Sequence, residues 1–240
     1  MRFSIFQAGR ANPATRRRKG DYGRMMIDLL SGDGETWHVH DVEHGRFPDD
    51  LAEYDGFVIT GSRHSVGDPL PWIRRLMDCV RRIRDRGQPL IGICFGHQLV
   101  AEALGGRVAR NALGWEIGVR AVRLTDQAKA LPELRAAPDP VRILEFHQDA
   151  VTRLPPDAVP LGRGEKTAYE MFSVGPFILC LQGHPEFDSQ VVREGIEALC
   201  AAGRLDAKQA GASLDTLAQA EDRDFLRGLL RGFLTNRGLL

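Results

Sequence analysis

Cysteine is scarce: there are four, at positions 79, 94, 180 and 200, in a chain of 240 residues. None forms a CxxC pair and no histidine is spaced to complete a zinc site, so neither a disulfide framework nor a zinc module is indicated. A reducing compartment is the simplest setting for such a chain. An excess of either charge is also missing. Lys plus Arg and Asp plus Glu both total 32, which leaves no net field to recruit nucleic acid or an acidic membrane surface. No apolar run approaches the ~20 residues that span a bilayer. No basic-then-apolar export signal opens the chain, which starts directly on the strand-like MRFSIF. The expectation is a soluble, cytoplasmic protein with no nucleic-acid or membrane partner. Repeats, linkers and low-complexity stretches are absent too, so residues 1–240 read as one domain. Its 43% apolar content suffices for a sizeable core.

What the chain does contain is an alternation of strand and helix patterns, the signature of a mostly parallel sheet in an α/β fold. Strands are expected at 2–6, 36–40, 56–60 and 89–93, and helices at 21–30, 70–86 and 96–104. Between about 107 and 182 the texture turns to short β segments, including 117–124, 141–146, 168–174 and 177–182. That stretch predicts a mixed or antiparallel extension of the sheet. The last 50 or so residues are helical, with apolar spacing through Leu226, Leu229, Leu230 and Phe233 that suits either a cover for the sheet or an interface.

The chemistry concentrates at residues 90–98, LIGICFGHQ. An apolar strand runs into Cys94, and a helical pattern starts at once. This is the sequence form of a nucleophile elbow, whose crowded turn requires small flanking residues. Gly92 and Gly96 supply them. The helix aims its N-terminus at the sulfur, which stabilises negative charge there.

A second apolar strand, FILCLQGHPEF at 177–187, ends in Gly183, His184, Pro185 and Glu186. Strand ends of a parallel sheet are where catalytic groups gather. The proline after His184 restricts that residue to extended geometry. Glu186 is placed to bond one imidazole nitrogen and leave the other for the sulfur.

GICFGHQ followed by GHPEF resembles the class I glutamine amidotransferase family, whose triad is Cys-His-Glu. The likeness extends through YDGFVITGSRHSVGD at 54–68, FHQDAV at 146–151 and MFSVGPFILCLQGHPEF at 171–187. It is nearest the free-standing branch that includes γ-glutamyl peptidases. The resemblance implies Cys94 as nucleophile, His184 as base and Glu186 as its orienter. It implies an oxyanion hole from the backbone N–H groups of Phe95 and Gly61, and substrate contacts at Gln98 and around Gln148. The reaction implied is hydrolysis of a γ-glutamyl amide through a thioester on Cys94, with no cofactor and no metal. A glutaminase subunit feeding ammonia to a separate synthetase partner shares all of this chemistry and stands as the alternative. A catalytically silent binding domain is a third reading, disfavoured by the intact triad.

The remaining residues read as structural. Arg16, Arg17, Arg18 and Lys19 form the densest basic run, expected to be a solvated loop, with a pocket-rim role toward a carboxylate as the minor alternative. Cys79, Cys180 and Cys200 lie in apolar patterns and are expected to be packing residues. His64 and His97 receive no role, and His147 is as readily structural as functional.

Overall fold

The computed structural model of the chain describes residues 1–239. The strands are β1 (Arg2–Gln7), β2 (Thr36–Asp41), β3 (Gly56–Ile59), β4 (Leu90–Ile93), β5 (Arg107–Arg110), β6 (Glu116–Leu124), β7 (Val141–His147), β8 (Asp149–Arg153), β9 (Ala158–Arg163), β10 (Met171–Val174) and β11 (Ile178–Leu181). The helices are α1 (Pro13–Lys19), α2 (Tyr22–Leu30), α3 (Pro71–Asp85), α4 (Phe95–Ala103), α5 (Asp126–Ala130), α6 (Ser189–Ala201), α7 (Ala207–Thr216) and α8 (Arg223–Thr235).

Among the described residues one nine-stranded sheet runs in the order β2-β1-β3-β4-β11-β10-β9-β6-β7, and β5 pairs with β8 in a separate ribbon. The first five strands of that order are parallel and the rest antiparallel. The mixed sheet expected from the sequence is therefore present. β3, β4, β10 and β11 are buried along their whole length. Continuous apolar runs such as LIGI and ILCL are what two covered faces require.

Helices α3 and α4 cover one face, burying Trp72, Leu76, Val80 and Leu99 against Phe57, Phe95 and Phe172. Helices α2 and α8 cover the other, where Met26, Leu30, Leu230 and Phe233 pack on Ile5, Val58 and Ile91. The Leu226–Phe233 stripe is thus a cover for the sheet, not an exposed interface. A third cluster under α6 and α7 packs Val192, Ile196 and Leu199 against Ile117 and Leu144.

Two expectations fail. The basic run is helical: Asn12 caps α1 by accepting from the Thr15 N–H, Pro13 opens it, and Arg18 and Lys19 each reach Asp188 at 3.0 Å. Arg18 and Lys19 are matched by Asp188, which caps α6, and Arg18 also by Glu194 on that helix, more than a hundred residues downstream, while Arg16 and Arg17 are exposed as expected. Cys200 is exposed on α6, whereas Cys79 and Cys180 are buried as expected. It falls at the outer edge of that helix's apolar stripe, where a small side chain reaches water.

Candidate active site

Strand register brings the site together. In the parallel pairs Ile59 stands opposite Gly92, and Leu181 opposite Ile93. Continuing each register sets Gly61 beside Cys94, and the Cys94 N–H donates to the Leu181 carbonyl at 2.9 Å. His184 follows three residues beyond Leu181, and its N–H is fixed to the Leu144 carbonyl at 2.7 Å. Three loops at the carboxyl ends of β3, β4 and β11 therefore meet at one point.

Cys94 sits at φ 52°, ψ −99°, as the residue immediately before α4. A non-glycine side chain in this region is strained, and such strain persists only where the surroundings enforce it. The enforcement is visible. A Cβ on Gly92 would lie 2.8 Å from the backbone of Gly96, and a Cβ on Gly96 would lie 2.5 Å from the Ile59 carbonyl oxygen. Both glycines of the elbow are needed to let β4, α4 and β3 approach. The sulfur lies at the α4 N-terminus, beside the unsatisfied N–H groups of its first turn.

His184 Nδ1 is 2.8 Å from Glu186 Oε1, with His184 4% exposed and Glu186 fully buried. Because a carboxylate only accepts, Nδ1 carries the proton and the other ring nitrogen is left toward Cys94. Phe187 stacks on the imidazole, ring centroids 4.0 Å apart and planes 6° from parallel. Burial pushes the His184 pKa down, but the negative charges of Glu186 and Cys94 and their hydrogen bonds outweigh it. The imidazole ends well above its ordinary value, so the imidazolium is the favoured form next to the sulfur.

Cys94, His184, Gly61, Gln98 and Gln148 open onto one cavity of about 200 Å³. A Cβ on Gly61 would meet His184 Cε1 at 2.9 Å, so only glycine fits beside the imidazole. Gln98 is 3% exposed and its amide donates to the Asp149 carbonyl at 2.8 Å and to Gln182 Oε1 at 3.1 Å. With its N–H groups so engaged, a ligand would meet its oxygen. The Gln148 side chain accepts from Arg110, which also pairs with Asp149 at 2.8 Å. Sequence reasoning missed Tyr22, Phe187, Arg63 and Arg204, which share this wall. Phe187 and Arg63 had a signal, lying in GHPEF and in the 54–68 segment; Tyr22 at the start of α2 and Arg204 after α6 had none. A larger groove of about 490 Å³ adjoins the cavity through Tyr22, Arg63, Phe146, Phe187, Leu199 and Arg204.

His64 bridges Glu43 at 3.1 Å and Asp68 at 3.3 Å. His97 is fully buried against Phe172, and burial takes its pKa down to about 3. Two acidic groups are close enough to hold a metal ion. Asp41, Glu43 and His44 form one, but Asp41 is paired with Arg10 and His44. Glu116, His147 and Glu170 form the other, fully buried, with Glu145 alongside. Burial, with the charge of neighbouring carboxylates, pushes Glu145 and Glu170 well above the usual carboxylate range.

The family model for glutamine amidotransferase class-I matches residues 35–199. This chain belongs to that family. The family member is accordingly a hydrolase, related over nearly its whole length to curated plant enzymes. It is 34% identical to γ-glutamyl peptidase 4 of Arabidopsis thaliana over 97% of this chain and 95% of that one. To γ-glutamyl peptidase 5 of the same plant it is 33% identical, over 98% and 96%. A solved glutamine amidotransferase from Thermotoga maritima superposes with a TM-score of 0.77 at 25% identity, covering 98% of both chains. No helix of the described residues is long and apolar enough to cross a membrane.

Proposed function

We propose that the protein hydrolyses a γ-glutamyl amide bond with Cys94 as nucleophile, His184 as proton carrier and Glu186 as its orienter. The observation that carries this reading is the His184–Glu186 pair held beside a strained elbow cysteine. Cys94 sulfur attacks the γ-carbonyl carbon, and the carbonyl π electrons move onto oxygen. The Phe95 and Gly61 N–H groups are assigned to that oxyanion, each donor contributing about 3 kcal/mol to the transition state. His184 delivers its proton to the departing nitrogen, so ammonia or an amine leaves rather than an anion. The thioester on Cys94 is then opened by water, with His184 taking the water proton, and glutamate is released.

The leaving group is assigned as an amino acid or peptide rather than ammonia alone. The adjoining groove, lined by Tyr22, Phe146, Phe187, Arg63 and Arg204, adds about 490 Å³ to the cavity that Cys94 opens onto. The near-full-length likeness to γ-glutamyl peptidases points the same way. The test is a release assay on the purified chain alone, comparing glutamine with γ-glutamyl dipeptides and glutathione. Amino-acid or peptide release without a partner is expected. Ammonia release from glutamine only after a synthetase is added would select the glutaminase-subunit reading. Turnover retained by Cys94→Ser would overturn both.

A further inference from the structure

Adjoining the catalytic cavity, whose lining includes His147, is a set of buried polar groups that the proposed reaction does not use. Glu116, Glu145, His147 and Glu170 are 1%, 0%, 4% and 2% exposed. His147 Nδ1 lies 2.9 Å from the Asp149 carbonyl oxygen, which can only accept, so Nδ1 carries a proton. Nε2 faces Glu145 Oε2 at 3.3 Å and Glu116 Oε2 at 3.7 Å. His147 Nε2 and Glu116 Oε1 have no hydrogen-bond partner, and Glu145 and Glu170 face each other carboxyl to carboxyl. A buried acceptor left unmatched costs ~1–3 kcal/mol, and more when charged.

We propose that Glu116, His147 and Glu170 bind a divalent transition-metal cation, of the zinc or manganese class, in the buried cluster that adjoins the catalytic cavity at His147. One ligand atom from each of the three lies within 4.8 Å of the other two, a triangle that small side-chain rotations close around an ion at ~2.0–2.2 Å. One imidazole with carboxylates is a donor set for such ions rather than for calcium or magnesium, which favour oxygen alone.

The outer contacts have the matching form. A ligating histidine donates its second nitrogen to a carbonyl, as His147 does to Asp149, and ligating carboxylates are themselves hydrogen-bonded. Here Thr167 Oγ1 donates to Glu116 Oε2 at 2.8 Å. Glycines stand where side chains would intrude: a Cβ on Gly164 would lie 2.4 Å from Glu170 Oε1, and one on Gly183 would lie 2.5 Å from Glu145 Oε1. The ion's role is to tie the start of β6, the end of β7 and the approach to β10 under Gln148 and Asp149, which line the cavity. The sequence reading expects no metal because these ligands, at 116, 147 and 170, share no short motif.

The test is metal content and thermal melting of the untagged full chain. Cells are supplied with zinc and manganese, and the protein is measured as isolated, after EDTA, and after each metal is restored. One equivalent per chain is expected, with Tm falling about 5–10 °C on chelation and recovering with metal, as an ion at ~100-fold its Kd implies. Glu170→Gln and Glu116→Gln should lose the equivalent and the EDTA response. Cys94→Ser should keep both, which separates this site from zinc on the nucleophile. Wild-type protein with under a tenth of an equivalent and a Tm indifferent to EDTA and to both metals overturns the proposal, and shows that the carboxyls share protons instead. Loss of the metal in Cys94→Ser, or its retention in both Gln variants, overturns it equally.

Discussion

Adding one methyl group at residue 61 probes the site's geometry more sharply than removing a catalytic atom. In Gly61→Ala the new Cβ would stand 2.9 Å from His184 Cε1, while its distance to Cys94 Cβ, 3.8 Å, is an ordinary contact. Relief to a normal ~3.4 Å separation requires the imidazole to retreat by about 0.5 Å, since cores transmit rather than absorb such overlap. The ring has little freedom to do so, tethered to Glu186 at 2.8 Å and stacked on Phe187 at 4.0 Å. Displacements of ~1 Å in a reacting pair cost about 100-fold, so a half-ångström shift here should cost 10–100-fold in kcat, about 1.4–2.7 kcal/mol of barrier. The Gly61 backbone does not occupy the left-handed region, so alanine adds no backbone strain and Tm should move little. The assay is steady-state hydrolysis of a γ-glutamyl dipeptide, with a thermal melt alongside. A variant within about threefold of wild type in kcat would refute the reasoning, because the imidazole would then not be held where its partners fix it.

Cys94→Ala and Cys94→Gly should both be inactive, yet the glycine variant should melt higher. Glycine adopts φ 52° freely, and release of about 1–2 kcal/mol of strain corresponds to roughly 3–6 °C for a domain of this size; equal melting temperatures would argue that the elbow is unstrained. Glu186→Gln should slow hydrolysis less than His184→Ala does. It should also move the alkaline limb of kcat/KM to lower pH, because a charge that raises His184 is removed; an unmoved limb in a pH profile would separate Glu186 from that role. His97, held neutral at a pKa of about 3, contributes stability that is present above its unfolded value of ~6.5 and is lost as pH falls toward 3. The full span corresponds to about 4–5 kcal/mol, so urea melts at pH 7, 5.5 and 4 should show His97→Gln losing less stability on acidification than wild type.

The elbow and the histidine strand were readable because their constraints are local. Gly92, Gly96 and the apolar runs into Cys94 and Gly183 declare themselves within a few residues, and the α/β alternation comes from periodicity alone. What escaped is what only tertiary structure assembles. α1 is stabilised by Asp188 and Glu194 on a distant helix, so its basic run looks like a solvated loop. The glutamates around His147 arrive from three strands or their approaches, and burial, which a list of residue types does not display, is what makes them unusual. Boundaries shifted by one residue at one or both ends of the expected elements, except β10, which starts at Met171 rather than 168. Glu170 is turned instead into the cluster, its N–H donating to the Gly162 carbonyl.

β11 lies between β4 and β10 in the middle of the sheet, although it is the last strand in the chain. During synthesis Cys94 emerges before His184 and Glu186, and its own N–H finds its acceptor, the Leu181 carbonyl, only when β11 arrives. A nascent chain of the first 170 or so residues thus carries a thiol without its proton partner. Insertion of Ile178–Leu181 beside Leu90–Ile93 is the event that supplies it. The proposed nucleophile and its proposed base therefore meet only when β11 completes the sheet, since β11 carries the chain into His184.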